Sequence, residues 1–175
     1  MIRVREARLP DDAAAIAAID RSFSTDEVFD VEAGAEAIVL RRRALPTPIV
    51  KSFPLDDLDD QARPWTHGLV ALDGARLIGF AAVGFQAWNA RLVLWHLYVD
   101  AAFRGRGAGR ALIERVMSEA VRTGADHVWL ETSNLNVPGI AAYQRLGFRL
   151  CGADTLLYTG TGAAEETALF YARKA

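Results

Sequence analysis

The chain has 175 residues, of which 51% are hydrophobic and 24% are charged, and its formal net charge is −2 at pH 7. This length predicts one domain over residues 1–175, which is enough chain to bury about two-thirds of its unfolded surface. The balanced charge indicates no nucleic-acid partner, and no apolar run reaches the roughly 20 residues of a membrane span, so we expect no membrane partner.

The first third of the chain predicts a strand, a helix and then less regular structure. Residues 3–7 alternate as a strand does, and an alanine-rich helix follows over residues 10–19. Residues 20–32 are polar and acidic, which favours a loop or a broken helix over a cleft. Residues 33–54 predict a strand that holds an arginine cluster and a turn marked by two prolines.

The middle of the chain predicts three antiparallel strands. Residues 66–72 and 77–86 flank Asp73-Gly74, which is a strong hairpin signal. An apolar run over residues 91–99 forms the third strand.

The remainder predicts alternating helices and strands, and the order of elements indicates an α/β protein. The segments are a helix over 109–122, a strand over 127–131, a helix over 138–146 that ends at Gly147, a strand over 148–151 and a closing pair over 156–158 and 168–173. Apolar residues at helical spacing mark the first of these helices: Leu112, Ile113, Val116, Met117 and Ala120.

The turn after residues 91–99 is rich in arginine and glycine and predicts a site for a diphosphate. Its small residues let backbone N–H groups converge on an anion, and the following helix adds unpaired N–H groups and a positive dipole end. The turn lacks the lysine of a P-loop and the last glycine of a dinucleotide fingerprint. The alternative is a tight connection with solvated arginines. The turn comprises Arg104, Gly105, Arg106, Gly107, Ala108, Gly109 and Arg110.

A second motif follows the strand over residues 127–131 and consists of an asparagine, a helix that carries a tyrosine, and a glycine–phenylalanine pair. Its residues are Asn136, Tyr143, Gly147 and Phe148. Together with the spacing Arg104-x-x-Gly107-x-Gly109, this motif resembles the two cofactor elements of the GNAT superfamily of N-acetyltransferases.

The resemblance implies a single-domain GNAT fold, in which helices flank a mixed, mostly antiparallel central sheet and adjacent central strands splay apart. It also implies acetyl-CoA as co-substrate, with the pantetheine chain held at the splayed strands. Asn136 has a second interpretation, because an asparagine before a helix also serves as its cap. The cofactor-binding residues expected from the resemblance are Leu97, Tyr98, Val99, Arg104, Gly105, Arg106, Gly107, Ala108, Gly109, Asn136 and Tyr143.

The resemblance implies two catalytic residues. Tyr143 occupies the position of the acid that protonates the departing CoA thiolate, and a phenol is protonated at neutral pH as an acid must be. Glu131 is the leading base for the acceptor amine. The alternatives are a tyrosine that only packs in the core and a carboxylate that only binds the cationic substrate. His96 is either a proton relay or a packed strand residue.

The likeness extends to the streptothricin (nourseothricin) N-acetyltransferases, which acetylate the β-lysine amino group of a polycationic antibiotic and confer resistance. It covers residues 16–29, 52–57, 87–89, 129–131, 150–158 and 166–171. It implies a small cationic amine as substrate, which acidic and aromatic side chains would bind. These are Asp26, Glu27, Phe29, Trp88 and Asp154. The alternatives are a GNAT enzyme for another amine, such as a protein N-terminus, a polyamine or a small metabolite, and a non-catalytic acyl-CoA-binding sensor.

The remaining features bear on the cellular setting. The single cysteine, Cys151, cannot form a disulfide within the chain, and the N-terminal residues lack the apolar core of a secretory leader, so we expect a cytoplasmic protein. The three histidines, His67, His96 and His127, are scattered and predict no metal site. The sequence leaves the oligomeric state open, a homodimer included.

Overall fold

The computed structural model describes residues 1–175 and divides them into two units. The first unit consists of residues 1–22, 52–129 and 174–175, and the second consists of residues 23–51 and 130–173. In chain order the elements are β1 (Ile2–Glu6), α1 (Ala13–Ala17), β2 (Ser22–Ala33), β3 (Ile38–Ser52), β4 (His67–Asp73), β5 (Arg76–Gln86), β6 (Arg91–Val99), α2 (Ala108–Thr123), β7 (His127–Ser133), α3 (Val137–Arg145), β8 (Arg149–Asp154) and β9 (Ala168–Lys174).

The first unit contains the antiparallel strands that the alternating apolar pattern predicts. Its strand order is β1-β4-β5-β6, followed by residues 127–129 of β7, and β1 with β4, β4 with β5 and β5 with β6 pair antiparallel. The hairpin between β4 and β5 turns at Gly74, which has a φ of +59°, as a tight turn between Asp73 and its partner Arg76 requires. The predicted α/β class with a mixed, mostly antiparallel sheet is confirmed.

The parallel pairing of β6 with β7 is short. It joins three residue pairs, from Arg91 opposite His127 to Val93 opposite Trp129. The later residues of β6 pair with β5 alone, apart from Trp95, which lies at a bulge between Leu94 and His96. This agrees with the splayed strands that the resemblance implies, and it leaves one backbone edge of residues 94–99 outside the β ladder.

Helix α2 has the predicted apolar stripe. Leu112, Ile113, Val116 and Ala120 are all buried, and the helix packs on β5 and β6. Burial of aliphatic side chains of this size contributes about 1.5–3 kcal/mol each. None of the three helices combines the length and apolar character that spanning a membrane requires.

Helix α1 covers five residues of the predicted helix over residues 10–19, and a side chain bonds carbonyl oxygens at and beyond its C-terminal end. The guanidinium of Arg21 donates to the carbonyl oxygens of Ala17, at 2.9 Å, and Ile19, at 3.1 Å. Ile16 and Ile19 still reach the core of the first unit, where they join a cluster that includes Phe80.

The ion pair between Arg5 of β1 and Asp12 ties the start of α1 to the sheet. Arg5 Nη1 lies 2.6 Å from Asp12 Oδ2, and Nη2 lies 2.9 Å from Oδ1. These hydrogen bonds hold the pKa of Asp12 at about 2, below that of an exposed aspartate. The stabilisation is therefore complete above the unfolded-state pKa of about 3.9 and is lost as the pH falls through the folded-state pKa.

We expect Asp12→Asn to lower the free energy of unfolding by about 2 kcal/mol at neutral pH. This figure follows from the lowered pKa of Asp12, because each unit of pKa shift corresponds to about 1.4 kcal/mol. Urea denaturation at neutral pH measures this loss. The difference from wild type should shrink as the pH falls below about 4. Asp11→Asn is the matched control, because Asp11 is exposed and should tolerate the change. An equal loss in both variants would contradict the ion pair's contribution.

The second unit contains a two-stranded sheet where the sequence predicted a loop and a proline-marked turn. The prediction of a loop or a broken helix over residues 20–32 is wrong, since most of these residues lie in strand β2. The predicted turn at Pro46 and Pro48 is also wrong, since both prolines lie inside strand β3. In a two-stranded sheet each strand has an outer edge, where a proline without an N–H donor costs no ladder hydrogen bond.

The rest of the second unit has the strand order β7-β9-β8, with β8 and β9 antiparallel. The predicted strand over residues 156–158 is wrong, because these residues form turns. The turn begins where Asp154 Oδ1 accepts a hydrogen bond from Leu156 N at 2.8 Å. Thr159 N then donates to the carbonyl oxygen of Leu156 at 3.1 Å. The antiparallel partner of β9 is therefore β8, in place of the predicted strand over residues 156–158.

Candidate active site

The arginine–glycine turn has the backbone conformation that an anion site requires. Gly105 and Gly107 have φ values of +75° and +92°, which strain any residue with a side chain. A Cβ built on either glycine would meet no atom within 4 Å, so the surface above the turn is open. Gly107 is the N-cap of α2 and offers no side chain to its first N–H groups. These donors and the helix dipole fit a diphosphate.

The arginines of the turn divide into one that shapes it and others that supply charge. Arg104 Nε donates to the carbonyl oxygen of Val99 at 3.1 Å, so this side chain fixes the path of the chain between β6 and the turn. The guanidinium of Arg106 lies 5.0 Å from the ring centre of Phe103 and is exposed. Arg110, on the first turn of α2, is also exposed.

The end of β6 carries the residues predicted to contact pantetheine, and Tyr98 there belongs to a hydrogen-bonded group. Its hydroxyl donates to the carbonyl oxygen of Pro54 at 3.1 Å and lies 3.0 Å from His96 Nδ1. The other ring nitrogen, Nε2, lies 2.9 Å from Asp57 Oδ1. Both nitrogens of His96 thus have protein partners, as a packed strand histidine does. Leu97 and Val99 flank Tyr98 and are partly buried.

Glu131, the predicted base, stands near the end of β7 in the second unit. Solvent reaches its carboxylate, yet the surrounding protein removes enough water to raise the pKa of Glu131 above its ordinary value. The hydroxyl of Tyr158 donates to Oε1 and opposes this rise. A carboxylate with a raised pKa is a stronger base than an exposed one, provided that it is ionised at the working pH.

Tyr143, the predicted acid, lies in α3 of the same unit. Its ring meets that of Phe148 edge-on at 6.1 Å, and Phe148 N donates to the carbonyl oxygen of Tyr143 at 3.0 Å. Burial, with a smaller contribution from the negative charge of Glu131, raises the pKa of Tyr143 to about 12. Its phenol therefore stays protonated through the neutral range, which an acid requires.

We expect Glu131→Gln to lower turnover most where the acceptor amine is protonated and to approach wild type as the pH rises toward the amine's pKa of about 10. The reason is that only a protonated amine must lose a proton before it can attack the thioester. In wild type, kcat/KM should fall with decreasing pH through the raised pKa of Glu131. A pH profile of both proteins measures this. A deficit in the variant that is constant from about pH 6 to 9 would instead indicate substrate binding alone.

Asn136 is the N-cap of α3. Its Oδ1 accepts from Gly139 N at 3.1 Å, and its Nδ2 donates to Thr132 Oγ1 at 2.9 Å. A Cβ on Gly139 would come within 2.2 Å of the Asn136 side chain, so the cap requires glycine there. The capping interpretation is confirmed, and contact with the cofactor stays a prediction.

The predicted substrate residues of β2 face arginines of β3. Glu27 pairs with Arg42, and Arg42 also lies 5.3 Å from the ring centre of Phe29. The neighbouring pairs are Asp30 with Arg43 and Glu32 with Arg41. These pairs allow the acidic segment to form strand β2, because its carboxylates face the guanidinium groups of β3 across the two-stranded sheet.

The other predicted substrate residues differ in exposure. Asp26 is exposed, and Asp154 uses Oδ1 to accept from Leu156 N. Phe29 is only 7% exposed, whereas Trp88 in the first unit is 84% exposed. Their role in binding the substrate stays a prediction.

Three further residues beside Glu131 escaped the sequence analysis. Lys51 Nζ pairs with both carboxylate oxygens of Glu166, and Ser133 Oγ donates to the same carboxylate. Lys51 lowers the pKa of Glu131 and Glu166 raises it. No local pattern joins Lys51 to Glu166, which is 115 positions away.

Comparison with known proteins agrees with this geometry. Streptothricin acetyltransferase of Streptomyces lavendulae is 42% identical over 174 residues, which cover 95% of this chain and 91% of that protein. The crystal structure of nourseothricin acetyltransferase has a TM-score of 0.88 at 41% identity and covers 99% of this chain and 98% of that chain. A candidate streptothricin acetyltransferase from Bacillus anthracis str. Ames, solved with acetyl coenzyme A, has a TM-score of 0.84 at 25% identity and covers 100% of this chain and 99% of that chain.

The family itself follows from the extent of the match. Residues 37–148 match the acetyltransferase (GNAT) family, and this range includes the arginine–glycine turn, Glu131 and Tyr143. Because the match covers more than half of the chain and the similarity to streptothricin acetyltransferase runs nearly end to end, this chain belongs to the acetyltransferase (GNAT) family.

Proposed function

We propose that this enzyme transfers the acetyl group of acetyl-CoA to a primary amine of a streptothricin-type antibiotic, the β-lysine amine, and so confers resistance. The observation that carries this proposal is the identity of 42% to streptothricin acetyltransferase over 95% of this chain. A shared cofactor motif alone would support any acceptor amine. Similarity over the whole length also includes segments outside the cofactor motifs.

Acetyl-CoA would be held by the first unit. The N–H groups of the turn and the uncapped start of α2 would bind the diphosphate, with positive charge from Arg106 and Arg110. The backbone edge of residues 94–99 that β7 leaves outside the ladder would bind the amides of pantetheine. The complex of the Bacillus anthracis relative with acetyl coenzyme A supports this co-substrate.

The residues of the second unit would move the protons. Glu131 would take a proton from the acceptor's ammonium group and release it to solvent. The freed lone pair forms the N–C bond as the C–S bond breaks, and Tyr143 gives its phenolic proton to the departing thiolate. The second proton of the nitrogen then restores Tyr143. The products are an amide, the thiol of CoA and one proton, so atoms and charge are conserved in the reaction.

Recognition of a polycation would depend on carboxylates. Asp26, Glu27 and Asp154 are proposed to bind the ammonium groups that do not react, with Phe29 and Trp88 as aromatic partners. Because Glu27 already pairs with Arg42, a substrate cation there would exchange one positive partner for another. Removal of Asp26 or Asp154 should therefore weaken substrate binding and its salt dependence more than removal of Glu27.

The test is to incubate purified enzyme with acetyl-CoA and each of a panel of amines and to measure turnover as the release of the CoA thiol. The panel contains streptothricin, spermidine, free β-lysine and a peptide with an N-terminal alanine. We expect streptothricin to have the highest kcat/KM, and the gene to protect a sensitive host. An enzyme that acetylates the other amines and leaves streptothricin unchanged would overturn the substrate. Binding of acetyl-CoA without turnover of any amine would indicate a sensor.

We further propose one N-acetyltransferase domain over residues 1–175, because the relative of 42% identity covers 95% of this chain. A cytoplasmic location is proposed because the single cysteine can form no disulfide within the chain.

A further inference from the structure

Tyr158 makes a contact that the proposed chemistry above does not use. It lies in the connection between β8 and β9, and its hydroxyl donates to Glu131 Oε1. The other carboxylate oxygen of Glu131, Oε2, accepts no hydrogen bond from the protein. One oxygen of the proposed base is thus held, and the other is available for an incoming proton.

The connection that carries Tyr158 is fastened at both ends. At its start, Leu156 N donates to Asp154 Oδ1 at 2.8 Å. At its end, Thr167 N donates to Asn134 Oδ1 at 2.9 Å, and Asn134 N donates back to the carbonyl oxygen of Thr167 at 2.9 Å. The ion pair of Glu166 with Lys51 adds a further attachment.

The turns around Tyr158 are also closed by hydrogen bonds. Thr161 donates to the carbonyl oxygen of Tyr158 from its N at 2.9 Å and from its Oγ1 at 2.8 Å. Thr159 donates to the carbonyl oxygen of Leu156 from its N at 3.1 Å and from its Oγ1 at 2.9 Å. The backbone therefore presents the Tyr158 ring from a defined position.

We propose that Tyr158 is a positioning residue whose hydroxyl fixes the carboxylate of Glu131 in one orientation and directs Oε2 to the proton of the acceptor amine. This proposal rests on the proposed function because it takes Glu131 as the base. It adds that the base works through a second tyrosine, distinct from the acid Tyr143.

The charges around Glu131 favour this arrangement. Burial and the neighbouring carboxylate of Glu131 raise the pKa of Tyr158, so its phenol remains a donor across the neutral range. A hydrogen bond to an ionised carboxylate favours the ionised form. Among the groups that act on Glu131, Tyr158 and Lys51 lower its pKa, whereas Glu166 raises it, and Tyr143 is the remaining titratable neighbour.

The experiment is Tyr158→Phe, which removes the hydroxyl and keeps the ring. We expect kcat to fall about tenfold and the acidic limb of the kcat/KM profile to move upward by about one pH unit, the scale of a lost charge-assisted hydrogen bond. The KM for acetyl-CoA should stay unchanged. The double variant Glu131→Gln/Tyr158→Phe should be no slower than Glu131→Gln, because Tyr158 acts only through Glu131.

The matched control is Tyr171→Phe. Tyr171 is fully buried, and its hydroxyl has no hydrogen-bond partner, so this change should leave the pH profile in place. Tyr143→Phe should lower kcat without moving the acidic limb. Tyr158 is only partly buried, so the loss of its hydroxyl should leave the protein folded, and the thermal unfolding midpoint of Tyr158→Phe checks this.

A second measurement is independent of turnover. Titration of the Glu131 carboxyl by NMR should show a higher pKa in Tyr158→Phe than in wild type. An unchanged pKa of Glu131, or an additive loss in the double variant, would overturn the proposal. Failure to acetylate streptothricin would overturn the proposed substrate and leave this titration as it is, so the two failures are distinguishable.

Discussion

Gly107→Val should raise the KM for acetyl-CoA by about 100-fold, the equivalent of two charge-assisted hydrogen bonds of about 1.5 kcal/mol each. A valine at this site would place two methyl groups above the turn, in space that is open within 4 Å in the native chain. Those methyl groups would keep a diphosphate away from the N–H groups at the start of α2. The measurements are steady-state kinetics and calorimetric titration with CoA.

The control for Gly107→Val is Gly124→Val at the other end of the same helix. Gly124 has a φ of +71° and, like Gly107, open space above its Cα. Both variants therefore carry the backbone strain of a branched residue at positive φ, about 1–3 kcal/mol. Only Gly107→Val should lose affinity for the cofactor. A folded Gly107→Val protein with native CoA affinity would remove the turn from the cofactor site.

Tyr143→Phe should lower kcat by about 100-fold while acetyl-CoA binds nearly as well as to wild type. The phenol has a pKa of about 12, so it is protonated at every pH at which the enzyme would be assayed, and its loss removes a proton donor and little volume. Single-turnover kinetics would separate this chemical step from binding.

A folded Tyr143→Phe enzyme with native turnover would show that solvent protonates the thiolate. Comparison with an acetyl donor whose leaving thiol is more acidic sharpens the test, because a better leaving group needs less help from an acid. The variant should recover more activity with such a donor than wild type does.

Sequence patterns predicted the first unit well because its elements are defined by local signals. The strand over residues 91–99 coincides with β6, and the Asp73-Gly74 turn and the apolar stripe of α2 are read from adjacent residues. The site turn is equally local, since its glycines and arginines are consecutive.

The second unit was predicted less well because its structure depends on distant partners. The acidic residues of β2 pair with arginines of β3, and this pairing has no local signature. The contact of Tyr158 with Glu131 also could not be predicted from local sequence, because the two residues are 27 positions apart. The family resemblance pointed to Glu131 as the proposed base, and it gave no role to Tyr158, the residue proposed to orient that base.

The two prolines of β3 change what the two-stranded sheet offers to another chain. Ile38, Val39 and Val50 of this strand are exposed, and a long apolar strand edge is a template for pairing with other chains. Pro46 and Pro48 remove two N–H donors from the strand, so an added strand would meet an interrupted row of hydrogen-bond partners. Replacement of these prolines would restore both N–H donors and leave a continuous strand edge for another chain to pair with.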